Sequence, residues 1–70
     1  MKQILSNMAG TVWQVLVARG DSVKANQDVI ILESMKMEIN VASKHDGIVK
    51  ELKVSEGDFV NDGDVLIELE

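Results

Sequence analysis

The chain has 70 residues, a net charge of −5, two aromatic residues (Trp13 and Phe59), no cysteine and one histidine, His45. That balance excludes a disulfide-stapled fold and a histidine-built metal centre, and it supplies neither the charge nor the stacking rings of a nucleic-acid platform. Apolar runs such as Val29-Ile30-Ile31-Leu32 fall far short of a membrane span, and Met1-Lys2-Gln3 opens no signal peptide, so a soluble, cytoplasmic setting is expected.

Taken in order, a β-branched run from Gly10 to Val17 reads as a strand and is closed by Gly20-Asp21, a turn pair. Glycine supplies positive φ there, and aspartate bonds nearby backbone amides. Val23 marks a short strand, and Asn26 fits a left-handed turn position before the strand Val29 to Glu33. Ser34 through Met37 reads as a hairpin tip, from which Lys36 projects. A strand then starts at Met37, with Met37, Ile39 and Val41 on its inward side and Glu38 and Asn40 outward. Ser43-Lys44-His45-Asp46 is a polar turn, in which His45 is a solvated residue rather than a catalyst.

From Gly47 the grammar repeats. Residues 10–33 lie over residues 47–70 without a gap at an offset of 37, with identities at nine of twenty-four positions, among them Gly20/Gly57, Asp21/Asp58 and Leu32/Leu69. A charge in one copy marks an outward position in the other, so Lys53 places Leu16 outside and Glu68 places Ile31 outside. Val15, Val17, Ile30 and Leu32, with Leu52, Val54, Ile67 and Leu69, then point inward, and Trp13, opposite Lys50, is partly exposed. No window has a helical period. Two halves of some four short strands each would leave open edges if separate, so an interlocked all-β sandwich or flattened barrel with pseudo-twofold symmetry is expected. Without proline or a Ser/Gly-rich tract, residues 1–70 are expected to form one domain with no linker.

The tip carries the chemistry. A tip chosen only to turn would read Asn-Gly or Asp-Gly, whereas this one holds Met35-Lys36-Met37. Met37 is explicable as the end of the core face, but Met35 suits the grip of a partner's pocket. No Ser/His/Asp set, carboxylate pair in a pocket, phosphate loop or metal cluster accompanies the lysine. An ordinary lysine amine is protonated at neutral pH and a poor nucleophile. The expectation is a lysine displayed for another enzyme, on a chain that is not itself an enzyme.

Glu33-Ser34-Met35-Lys36-Met37-Glu38, with Met8-Ala9-Gly10-Thr11-Val12 before it and Gly57-Asp58-Phe59-Val60 after it, resembles the biotinyl/lipoyl attachment family over essentially the whole chain. The resemblance implies two four-stranded antiparallel sheets with the acceptor lysine, here Lys36, on the hairpin between the fourth and fifth strands. It implies biotin joined to Lys36 by a biotin protein ligase, Met35 and Met37 presenting the amine, and Glu33 and Glu38 contributing to ligase choice. The chain would then carry a carboxyl group between a biotin carboxylase and a carboxyltransferase or decarboxylase. Family biotinyl domains resemble this Met-Lys-Met, whereas lipoyl domains usually have aspartate before the lysine, so lipoate attached by a lipoate ligase, alone or in addition to biotin, forms the alternative. An unmodified β-module binding through the Met tip and the Leu16/Ile31 surface is a third reading. Only Ala18 to Ser22 separate Val17 from Val23, so the similarity is to carriers without a protruding thumb. They include both free-standing proteins and domains of larger chains.

Overall fold

A computed structural model describes residues 2–70; Met1, counted in the expected domain, lies outside them. Eight strands follow one another: β1 (Lys2–Leu5), β2 (Gly10–Val15), β3 (Ser22–Val23), β4 (Asp28–Ser34), β5 (Met37–Ala42), β6 (Gly47–Leu52), β7 (Phe59–Val60) and β8 (Val65–Leu69). They form two four-stranded antiparallel sheets, ordered β1-β8-β6-β3 and β5-β4-β2-β7. Each sheet draws two strands from each half of the chain. Neither half could therefore close its backbone hydrogen bonds alone.

One apolar core lies between the sheets, built from Ile4, Val12, Val23, Ile30, Leu32, Val41, Val49, Val60, Ile67 and Leu69 among others. The eight residues expected to face inward are buried or half-buried, Leu16 is exposed and Ile31 is half-buried. Val29 and Leu66 depart from the expected alternation and are fully buried. Both sit where the strand register shifts, Val29 between Asp28 and Ile30, and Leu66 opposite the shift between Ile4 and Leu5. A bulge residue opposes no single partner, which lets two successive side chains turn inward.

The repeat is written into the hydrogen bonds as well. The Gly20 amide donates to Val49 O at 2.8 Å and the Gly57 amide donates to Val12 O at 2.8 Å, so each Gly-Asp turn clips onto the other half. Returning bonds run from the Val49 amide to Asp21 O at 2.8 Å and from the Val12 amide to Asp58 O at 2.7 Å. Asp21 Oδ2 accepts from the Ala18 amide and Asp58 Oδ2 from the Ser55 amide, each at 2.8 Å, the local closure expected of these turns. Asn26, with φ 72, fills the left-handed position that Gly63 fills with φ 91.

The structural repeat reaches further upstream than the identities at 10–33. Ser6 and Ser43, also 37 apart, are both buried, and their hydroxyls donate to Met8 O at 2.5 Å and His45 O at 2.6 Å. Strand β1 is thus the counterpart of β5. Ile4 and Val41 share a core role with no identity to reveal it.

Gly10 and Gly47 are equivalent in sequence and unequal in crowding. A Cβ on Gly10 would lie 2.9 Å from Glu33 O, whereas one on Gly47 would lie 3.2 Å from Glu70 O and 3.3 Å from Leu69 Cβ. Gly10→Ala is expected to destabilise by about 1–3 kcal/mol, the range for forced overpacking. Gly47→Ala should lose less. Urea unfolding of the two variants measures the order, and equal losses would contradict it.

Candidate functional site

Among the described residues, β4 and β5 are the one pair of consecutive strands that hydrogen-bond to each other; every other ladder joins strands with at least one strand between them. Their register pairs Leu32 with Ile39, Glu33 with Glu38 and Ser34 with Met37. That leaves Met35 and Lys36 as the whole turn, a two-residue hairpin loop.

Both residues adopt positive φ, 52 for Met35 and 64 for Lys36. Positive φ at both central positions is the signature of a type I′ turn, whose preferred sequence is Asn-Gly because bulky L-residues clash there. Left-handed backbone costs about 1–2 kcal/mol per ordinary residue. This hairpin therefore carries strain at two adjacent positions, and neither residue returns it as packing: Met35 is 93% exposed and Lys36 is exposed.

Met37 departs from its expected inward position. It starts β5 as anticipated and shares the face of Ile39 and Val41, but it is 63% exposed, Ile39 is half-buried and Val41 is buried. The row explains the gradient: Met37 lies beside Ser34, and Ser34 lies against Gly10, which offers no side chain to pack on. The core has ended before the tip begins.

Glu33 and Glu38 face each other across the hairpin on the outer side of the sheet, both exposed. Like charges directly opposite on one sheet face destabilise the pair. Two strained backbones, an exposed methionine and opposed carboxylates all work against stability within six residues. Local choices that contradict the fold mark places where function sets the sequence.

The tip is supported from behind. Gly10 approaches Glu33 and Ser34 closely, and Thr11 pairs with both Glu33 and Phe59, tying the hairpin into the four-stranded sheet. A cleft of about 210 Å³ opens between the edges of β1 and β5, lined by Gln3, Ile4, Leu5, Ala42, Lys44 and His45. No tip residue lines it. The chain displays Lys36 rather than enclosing it, an arrangement that fits an amine to be acylated with a long prosthetic group. Among the described residues, no helix is long and apolar enough to cross a membrane.

The family model described as a biotin-requiring enzyme, of the biotin/lipoyl class, matches residues 2–69. The chain belongs to the biotin/lipoyl attachment family. It is 60% identical over 62 residues to the biotin/lipoyl attachment protein of Bacillus subtilis strain 168, covering 89% of this chain and 85% of that protein. It is 39% identical over 66 residues to the dihydrolipoyllysine-residue acetyltransferase component of the pyruvate dehydrogenase complex of Pseudomonas aeruginosa, covering 94% of this chain and 12% of the other. In the crystal structure of the urea carboxylase of Kluyveromyces lactis, a region superposes with a TM-score of 0.90 at 33% identity, covering 99% of this chain and 6% of that one. An attachment domain of this family is a non-catalytic carrier.

Turn strain gives a direct test. Met35→Asn places the best-suited non-glycine residue at a left-handed position and should raise stability by about 1 kcal/mol. For a domain of this size that is a rise in Tm of about 4–8 °C. An unchanged or lower Tm would mean the turn is relaxed as it stands.

Proposed function

We propose that residues 1–70 form one attachment domain whose Lys36 is acylated by biotin through the action of a biotin protein ligase. The observation that carries this reading is the strained two-residue turn holding Lys36 in solvent between Met35 and Met37, where neither methionine contributes to the core. The Met-Lys-Met flank favours biotin over lipoate, as does the likeness to a carboxylase structure. Biotin, once attached, supplies the capacity to carry a carboxyl group from a biotin carboxylase to a carboxyltransferase or decarboxylase.

The chain's own residues do the presenting. The type I′ turn fixes the Lys36 backbone, so mobility is confined to the side chain and whatever extends it. Met35 and Met37 offer two adaptable apolar contacts to the enzyme that acylates the amine. Glu33 and Glu38 add negative charge beside it and contribute to the choice of ligase. Amide formation joins the cofactor carboxyl carbon to Lys36 Nζ, expels the oxygen-linked group that activates that carboxyl, and releases two protons from the ammonium, which removes the lysine charge. A tethered group acts at a local concentration set by its reach. Action in the cytoplasm, where these partners would meet the chain, completes the proposal.

Co-expression with a biotin protein ligase should give a single biotinyl adduct by intact mass, located on Lys36 by fragmentation and abolished by Lys36→Arg. An adduct that survives Lys36→Arg would refute the assignment. The acetyltransferase relative supports a second reading, in which Lys36 accepts lipoate. Incubation with a lipoate ligase distinguishes the two, and Met35→Asp should move the preference toward lipoate if the residue before the lysine sets specificity.

A further inference from the structure

The repeat supplies an internal control for surface residues. A position that the fold requires to be apolar should be apolar in both copies. One that is apolar and accessible in one copy but polar in its counterpart answers to something other than folding. Four positions that meet this criterion gather on one side: Phe59 against Ser22, Trp13 against Lys50, Leu16 against Lys53 and Ile31 against Glu68. Phe59 is 66% exposed and Trp13 44%, Leu16 is exposed and Ile31 is half-buried. All four lie on the sheet β5-β4-β2-β7 or directly after β2. Two positions run the other way: exposed Ile48 corresponds to Thr11, and half-buried Val65 corresponds to Asp28.

The ladders gather these residues next to the tip. Phe59, Thr11, Glu33 and Glu38 form one row across β7, β2, β4 and β5, and Gln14, Ile31 and Asn40 form the next. Trp13 is the bulge residue between the two rows, where the register shifts between Val12 and Gln14. A bulge re-aims its side chain, here an indole. On the counterpart face the same places hold a self-neutralising cluster, with Lys53 Nζ 2.7 Å from Glu51 and 3.3 Å from Glu68. The Lys53 hydrogen bond there holds the Glu51 carboxyl below its ordinary range.

Charge identifies the occupant. Between residues 33 and 38 the chain has two carboxylates, Glu33 and Glu38, and one cation, Lys36. Acylation removes the cation and leaves both carboxylates. A partner with lysine or arginine around its contact therefore binds the acylated carrier better than the bare one. That preference suits an enzyme that uses the arm. A ligase with the same preference would be held by its own product.

We infer that the outer face formed by Trp13, Ile31 and Phe59, with Glu33 and Glu38 beside it, docks the cofactor-using enzyme through an apolar recess bordered by basic residues. This rests on acylation of Lys36. Contact behind the tip leaves the arm free to move while the carrier is held.

The test uses the biotinylated full chain, ¹⁵N-labelled and titrated with an unlabelled biotin carboxylase component from the same cells. Trp13 is the only tryptophan, so its indole N–H is a single probe of this face. Its signal should shift together with the Thr11 and Phe59 amides. The double variant Trp13→Lys, Phe59→Ser imports the counterparts' own residues, and its thermal unfolding and ¹⁵N spectrum verify the fold. It should weaken the Kd about tenfold, as loss of aromatic anchors does, while biotinylation by the ligase stays within about twofold. Glu33→Gln, Glu38→Gln should flatten the dependence of Kd on salt between about 50 and 200 mM.

Several results would overturn the assignment: shifts confined to Ser34–Met37, a double variant that binds like the parent, no binding of either, or an equal loss with the ligase. Failure of the carrier reading appears separately and earlier, as absence of the biotinyl adduct by mass, and removes the docking face with it.

Discussion

The exchange of strands between the two halves is the constraint on which everything else rests. β3 finds its partner in β6, β7 finds its partner in β2, and β1 finds its partner in β8. The Gly-Asp turns reinforce this by bonding across to the strand of the opposite half. Backbone groups left unpaired in a small apolar core would be too costly, so the halves form together or not at all. Long-range pairing of this kind orders most of the chain in one step and leaves few places to vary.

Against that shared scaffold, the link between the halves is the exception. The scaffold's turns use glycine, asparagine and aspartate where the backbone needs them. The link uses Met35 and Lys36 where the backbone resists them. The contrast lies within one chain and under one set of folding demands, so it separates residues that serve the fold from residues that do not. The rigid ladder beneath, from Phe59 through Thr11 to Glu33 and Glu38, turns that local strain into a fixed presentation of one amine.

Much of this was legible in the sequence because the repeat exposes it. Lys53 and Glu68 marked Leu16 and Ile31 as outward, and the Gly-Asp pairs marked the turns. Period-two reasoning failed at Val29 and Leu66, because each is the extra residue at a register shift, and a bulge is a property of two strands together. It failed at Met37 because burial depends on what stands alongside, and Gly10 contributes nothing there. The kinship of β1 with β5 was faint for a different reason: Ile4 and Val41 are interchangeable in a core, so only Ser6 and Ser43, just beyond the two strands, carry the offset upstream as an identity. Lys36 was legible as the tip, but its left-handed backbone was not, since methionine and lysine carry no signal for that conformation.

The doubled scaffold has an odd count at the place that matters. The ladder of β4 with β5 has a counterpart in the ladder of β8 with β1, yet among the described residues only the first is closed by a two-residue turn. A body that is nearly the same when turned over thus has a single handle. Lys36 keeps one fixed orientation to the aromatic side, and anything that grasps that side meets the tip from the same direction.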